Sequence, residues 1–259
     1  LIQTLRDLWR YRELAAILVG KELKLRYRRS VLGFAWTMLN PLLTMIILTM
    51  VFSHVWRIQV EKYPVFVLSA LLAWNFFAQS VSGGAPCMVH NESLLRNIYV
   101  PRAIFPLALV LSHLVNFLLA LVPLLLVMFW QGVVPPLSIA CVPLCLVILW
   151  LFTTGIVLAL AAWTVFFRDI GQIVEVSLQA LFYLTPIIYP LSILPERFLW
   201  IVKLNPLLHQ VTVFRRVFFE GAWPEPSYFL IAGGCAIVSF AVGLAIFRRQ
   251  ESQFLLYLS

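Results

Sequence analysis

Four basic side chains crowd a six-residue stretch of this chain: Lys24, Arg26, Arg28 and Arg29. A guanidinium offers a planar fork of N–H donors that grips phosphate oxygens in pairs. The run therefore suits a phosphate-bearing ligand as well as the anionic headgroups of a bilayer. Little else resembles reactive machinery. His54, His90, His113 and His209 are scattered, with no carboxylate at catalytic spacing, and a lone imidazole reads most simply as a hydrogen-bonded packing group. Cys141 and Cys145 stand one helical turn apart with no His or carboxylate beside them. Together with Cys87 and Cys235 they read as small packing residues, not metal ligands or a disulfide framework. No Gly-x-x-x-x-Gly-Lys-Ser/Thr loop occurs, so the chain has no P-loop to cradle ATP. Glu175 is the lone carboxylate inside an apolar run, which argues against a proton-coupled carrier. The expectation is a conduit without catalytic residues, metal or cofactor of its own.

The elements that must position these groups are helices in a membrane. Of 259 residues, 62% are apolar and 12% charged, against about 25% charged in a soluble domain. Six segments approach the roughly 20 apolar residues that a crossing helix needs: 33–56, 64–82, 103–130, 139–163, 173–189 and 227–247. Pro41, Pro106, Pro123, Pro143 and Pro186 fall within them and are expected to kink them. No internal repeat is visible, which disfavours a transporter built from inverted repeats. The fold class read here is all-α integral membrane, a single domain over 1–259.

Two segments depart from a simple bundle. Residues 1–29 place Leu1, Leu5, Leu8 and Trp9 on one helical face and Arg6, Arg10, Arg12 and Glu13 on the other, the pattern of a helix lying in the membrane interface. No removable signal peptide is expected there. Residues 190–226 contain apolar runs too short to cross, Phe198–Val202 and Leu207–Phe214, and read as short helices partly embedded on the outer side.

The basic residues set the orientation. Eight of the 19 Lys and Arg lie in residues 1–29; Arg96, Arg102, Arg168, Arg248 and Arg249 fall on the same side if six spans alternate. Positive charge accumulates on the cytoplasmic face, so both termini are expected inside. Nucleic-acid binding is not expected, because no stacking platform accompanies the charge. Trp56, Trp130, Trp163, Trp200 and Trp223 sit at span ends, where indole favours the headgroup layer. On the cytoplasmic side, Asn91 is placed to cap a short amphipathic helix that Pro101 ends. Such a helix can insert into a groove on a partner.

These residues carry a family resemblance. The run Arg26-Tyr27-Arg28-Arg29-Ser30-Val31-Leu32-Gly33-Phe34-Ala35-Trp36, with Asn40-Pro41 following, resembles the start of the first span in type 2 ABC export permeases. The matching branch exports O-antigen polysaccharide (Wzm-like), teichoic acid or capsule. The segment Asn91–Arg102 is similar to that family's coupling helix, and Phe166–Ile170 to its second cytoplasmic turn. Thr185-Pro186-Ile187-Ile188-Tyr189 and Leu204-Asn205-Pro206-Leu207 resemble its short outer re-entrant helices.

The resemblance implies a permease in the bacterial inner membrane, working as a pair of identical subunits with two copies of a separate P-loop ATPase that binds ATP and Mg. It implies that Asn91, Glu92, Leu94, Leu95, Arg96, Asn97, Tyr99, Arg168 and Asp169 meet that ATPase. It implies a gate at the N-terminal helix, where Arg26, Arg28 and Arg29 would attract the pyrophosphate of a lipid-linked polymer. A sugar chain slides on flat apolar faces, for which Phe34, Trp36, Trp74, Phe76, Phe77, Phe182 and Tyr183 are the candidates. The rival readings are a small-molecule or drug exporter of the same superfamily, a lipid-modifying membrane enzyme, or a scaffold. The short loop Arg57–Tyr63 argues against the first, since drug exporters usually carry a larger outside domain there.

Overall fold

The computed structural model describes residues 11–27, 30–55, 60–97, 100–133 and 137–257, and every regular element among them is a helix. Helix α1 is Arg12–Tyr27. A 3₁₀ turn at Gly33–Ala35 leads into α2 (Trp36–Thr49), which loosens into a π-helical turn over Met50–Val55. Then come α3 (Tyr63–Gly84), the short α4 (Cys87–His90) and α5 (Glu92–Asn97), and α6 (Ile104–Trp130). Another 3₁₀ turn, Leu137–Cys141, opens α7 (Val142–Phe166), and α8 (Ile170–Leu184) follows. Next are α9 (Glu196–Leu204), α10 (Pro206–Phe218) and α11 (Pro226–Gln250), with α12 (Phe254–Tyr257) last.

Five of these stretches are long and apolar enough to cross a membrane: Gly33–Ser53, Tyr63–Gly84, Ile104–Trp130, Leu137–Phe166 and Pro226–Gln253. The expected fifth crossing, 173–189, is different. Helix α8 stops at Leu184 after 15 residues, about 22 Å at 1.5 Å per residue, short of a hydrocarbon core of about 30 Å. Pro186 is the cause, because a proline ring disfavours the α conformation of the residue before it. Thr185 is accordingly extended, at φ −93° and ψ 129°. Pro186 thus ends a helix that it was expected to kink. Pro41 and Pro123 remain inside α2 and α6, whereas Pro143 lies in the first turn of α7, where its missing N–H costs nothing.

Helix α3 is the axis of the bundle. It is buried along most of its length, with α2, α6, α7 and α10 packed round it. The flanking spans are the opposite: 11% of the first and 22% of the last is buried. Their apolar outer faces therefore need lipid or another protein surface. The tightest pairing is α7 on α11. A Cβ added to Gly155 would overlap the backbone at Ser239, and one added to Gly243 would overlap Gly155. Ser239 Oγ then donates across the contact to the Phe152 carbonyl at 2.8 Å. Small residues that let two backbones touch are the usual helix glue in lipid, where no hydrophobic force draws helices together.

The apolar stripe of α1 turns toward the protein. Tyr11, Leu14, Ala15, Leu18 and Val19 pack against Cys87, Met88, Leu95 and Ile104, together with Val165 and Phe247. The apolar residues that patterned the N-terminus as an interfacial helix, Leu1, Leu5, Leu8 and Trp9, lie outside the described residues, as do Trp56 and the predicted site residues Arg28, Arg29 and Tyr99.

Candidate functional site

The end of α1, the start of α2, the second half of α3 and the middle of α6 enclose an open cleft of about 560 Å³. Its polar lining comes in pairs, each set by helical spacing on an otherwise apolar span. Thr37 and Asn40 come from α2, Asn75 and Gln79 from α3, and His113 and Asn116 from α6. Residues three or four apart share one helical face, so each span turns one wet edge to the same place. Aromatic surface is supplied by Trp36, Phe76 and Phe117.

Arg26, in the last turn of α1, reaches into this cleft. It donates to Gln79 Oε1 at 2.9 Å and meets His113 Nε2. A guanidinium has donors only, so Nε2 must accept, and the imidazole is neutral with its proton on Nδ1. That Nδ1 is buried and has no hydrogen-bond partner among the described residues. The imidazole is thus used on one side to orient an arginine and left unsatisfied on the other.

The aromatic candidates separate into two groups. Trp36 lines the cleft at 45% exposure, and Phe34 stands exposed on the 3₁₀ turn before it. Tyr183 is exposed on α8. Trp74 and Phe77 are buried instead: Trp74 meets Phe182 edge-on at 5.5 Å between centroids, and Phe77 stacks on Phe152 at 5.8 Å. Phe76 touches the cleft but is mostly buried, edge-on to Phe117 at 6.1 Å. Trp74 and Phe77 are therefore packing groups within one copy of the chain.

The predicted coupling residues gather at one end of the bundle. Leu95 is buried in the same apolar cluster as Val165, one helical turn before the Arg168–Asp169 turn. Ser93, Arg96, Asn97, Arg168 and Asp169 are exposed, and Glu92 and Leu94 half-buried. Arg96 pairs with Glu92 at 2.8 Å along α5. Asn91 does not cap α5 with its side chain as expected. Its Nδ2 donates back to the Cys87 carbonyl at 2.9 Å, and its Oδ1 accepts from Lys21 Nζ of α1 at 3.2 Å. Burial pushes the Cys87 thiol well above its ordinary range, so it is inert packing under α1.

The other end holds a centre that sequence reasoning missed. Arg215, which directly follows the apolar run Leu207–Phe214, is 7% exposed and lies over the Phe66 ring at 3.8 Å. It donates to the carbonyls of Pro186 at 2.7 Å and Ile187 at 3.1 Å, while Tyr63 Oη donates to that of Ile188 at 2.6 Å. These carbonyls lie in the non-helical segment that follows α8, where no helical N–H reaches them. Asn205 completes the knot: its Oδ1 caps α10 through Leu207 N–H, and its Nδ2 donates to Thr185 Oγ1 at 2.9 Å. Arg216, its neighbour, is exposed enough to pair with Glu220 and Glu225. The signal was available: a proline in an apolar run leaves carbonyls that some distant donor must satisfy.

Comparison with known proteins follows the same outline. A family model described as ABC-2 type transporter matches residues 13–219. The chain is 34% identical over 257 residues to the O-antigen export system permease protein RfbA of Myxococcus xanthus, covering 98% of each chain. It is 31% identical over 243 residues to the protein of the same name from Klebsiella pneumoniae, 93% of each. A more distant relative is the polysialic acid transport protein KpsM of Escherichia coli, 22% identical over 241 residues, 91% of this chain and 92% of the relative.

Proposed function

The chain belongs to the ABC-2 type transporter family, and from that premise we propose that it is the permease subunit of an ATP-driven exporter of lipid-linked polysaccharide. The observation carrying this reading is end-to-end likeness to two O-antigen export permeases at 31% and 34% identity. O-antigen is the favoured cargo, since the polysialic acid transport relative stands lower at 22%; teichoic acid or capsule are the next choices. The sequence has no P-loop, so hydrolysis of ATP with Mg falls to a partner subunit.

In this reading the inner membrane holds six crossings with both termini cytoplasmic. Helix α8, extended by residues 185–189, makes the fifth crossing, and α9 and α10 form the outer re-entrant pair. Two copies of the chain face each other. Support comes from α8, whose exposed Gln172, Glu175, Gln179 and Tyr183 fall on one helical face. A polar stripe at membrane depth must be covered by protein or water, not lipid. Arg26, with Arg28 and Arg29, attracts the pyrophosphate of the substrate as it meets the gate formed by the N-terminal helix. The segments Asn91–Tyr99 and Arg168–Asp169 receive the force of the ATPase.

Deleting the gene in its host tests the reading. Surface polymer should vanish while lipid-linked polymer accumulates inside, and the intact gene should restore export. Arg96→Glu should abolish export while the protein still inserts, because it reverses a charge on the contact face. Unaltered surface polymer in the deletion strain would overturn the assignment.

A further inference from the structure

The cleft holds more hydrogen-bonding capacity than its own residues consume. Arg26 carries five N–H donors, and its terminal nitrogens are tied at one point each, to Gln79 and His113. Asn40 and Asn75 line the same space, and their side chains make no hydrogen bond to any described residue. Polar side chains on apolar spans ordinarily bond from helix to helix. These two do not, and open polar groups at such a site call for water or a ligand.

The chemistry of the lining limits what that ligand is. Among the described residues no carboxylate lines the cleft and Arg26 is its one charged side chain, so it suits an anionic group and not a cation. A side-chain amide both donates and accepts, as does a sugar hydroxyl. Trp36 adds a partly exposed indole face, the surface on which the C–H face of a pyranose ring lies. A volume of about 560 Å³ is within the range of small-molecule sites, roughly 300–1,000 Å³. That is room for one phosphorylated sugar.

We propose that this cleft is a glycosyl-phosphate site that reads the first sugar at the lipid end of the polymer. Arg26, oriented by Gln79 and His113, takes the phosphate; Asn40 and Asn75 take sugar hydroxyls; Trp36 covers the ring. This rests on the export reading given above and adds a selection step to it: the site recognises the junction of lipid and polymer, whatever repeat lies beyond. A phospholipid with a hydroxylated headgroup offers related chemistry, and the test separates it.

The transporter, complete with its ATPase, is placed in nanodiscs of phosphatidylethanolamine. Three probes are titrated: polyprenyl pyrophosphate bearing one N-acetylglucosamine, bare polyprenyl pyrophosphate, and phosphatidylglycerol. Binding is read by native mass spectrometry. The sugar-bearing lipid should bind at least tenfold tighter than the bare lipid, with phosphatidylglycerol weakest. Asn75→Leu and Asn40→Leu should bring the first two within about twofold, and Arg26→Gln should weaken both. Leu126→Ala, on the exposed face of α6, should change nothing. Equal binding of sugar-bearing and bare lipid by the wild type would overturn the proposal. So would phosphatidylglycerol binding as tightly as the glycolipid, or a sugar preference that survives in both Asn variants. Export by the wild type is measured in parallel. Export with any of those binding results removes the cleft assignment alone, whereas no export removes the exporter reading and the cleft assignment with it.

Discussion

Two arginines at opposite ends of the bundle show how surroundings divide one side chain between two kinds of work. Arg215 is sealed between the Phe66 ring and the carbonyls of Pro186 and Ile187. Its charge is turned inward, where it satisfies carbonyls of the non-helical segment after α8. Arg26 is held by two neutral side chains, Gln79 and His113, and faces an open cleft. One cation completes the fold; the other is oriented and left with donors to give. The lesson is that a charged residue in a membrane bundle is interpreted by its partners' own needs. Carbonyls without helix donors take an arginine for structure, whereas an arginine held by neutral groups keeps its charge for a ligand.

The largest effect is expected at Arg215. Arg215→Leu strands two carbonyls in apolar surroundings, at about 1–3 kcal/mol each, and should deplete the protein from the membrane. Arg215→Lys keeps the charge but loses the planar fork, and should fall between. Thermal melting in detergent and membrane abundance check both. If Arg215→Leu melted like the wild type, the structural half of the comparison would fail. Arg26→Gln is the counterpart. It should leave melting nearly unchanged and lower export about tenfold or more, measured as surface polymer per folded transporter. A variant lost from the membrane would show that Arg26, too, is structural.

A smaller effect is expected at the aromatic wall. Trp36→Ala should lower export a few-fold with abundance and basal ATP hydrolysis intact. Trp130→Ala, at the exposed end of α6, should behave as an ordinary interfacial residue. Equal behaviour of the two would remove the distinction between a cleft wall and a headgroup anchor. The smallest effect concerns Lys21 and Asn91, which join α1 to the start of α5 at 3.2 Å. A double-mutant cycle with Lys21→Met and Asn91→Leu, read as ATP hydrolysed per polymer exported, should give a non-zero interaction of about 0.2–1 kcal/mol. A fully additive pair would mean that the bond transmits nothing between the two segments.

Much of the fold was legible from solvent preference alone. A run of about 20 apolar residues has one stable arrangement in lipid, a helix with its backbone satisfied internally. The spans through Tyr63–Gly84, Ile104–Trp130 and Pro226–Gln250 are therefore found within a few residues of their expected bounds. At α8 the same rule misplaced the end of the helix, because apolar composition runs on to Tyr189 while Pro186 breaks the backbone pattern. Composition measures the side chains' preference for lipid, while the helix depends on the N–H groups. At the cleft, Arg26 and Trp36 were visible as a basic run and an aromatic near a span start. His113 was read as a packing residue, because its partner lies 87 positions away.

What the sequence by itself determined is where the chain enters an apolar solvent and where it leaves. Those are local properties, written in consecutive residues and decided by the cost of an unpaired backbone group in hydrocarbon. Tertiary structure alone decided which helix faces meet: that Asn40, Asn75 and His113 converge, that Trp74 and Phe77 are buried, and that Arg215 finds the carbonyls beside Pro186. Each of these rests on a contact between distant segments. The rotation of one span against another is set by where backbones can touch, as at Gly155 and Gly243, and no single stretch of sequence carries that information.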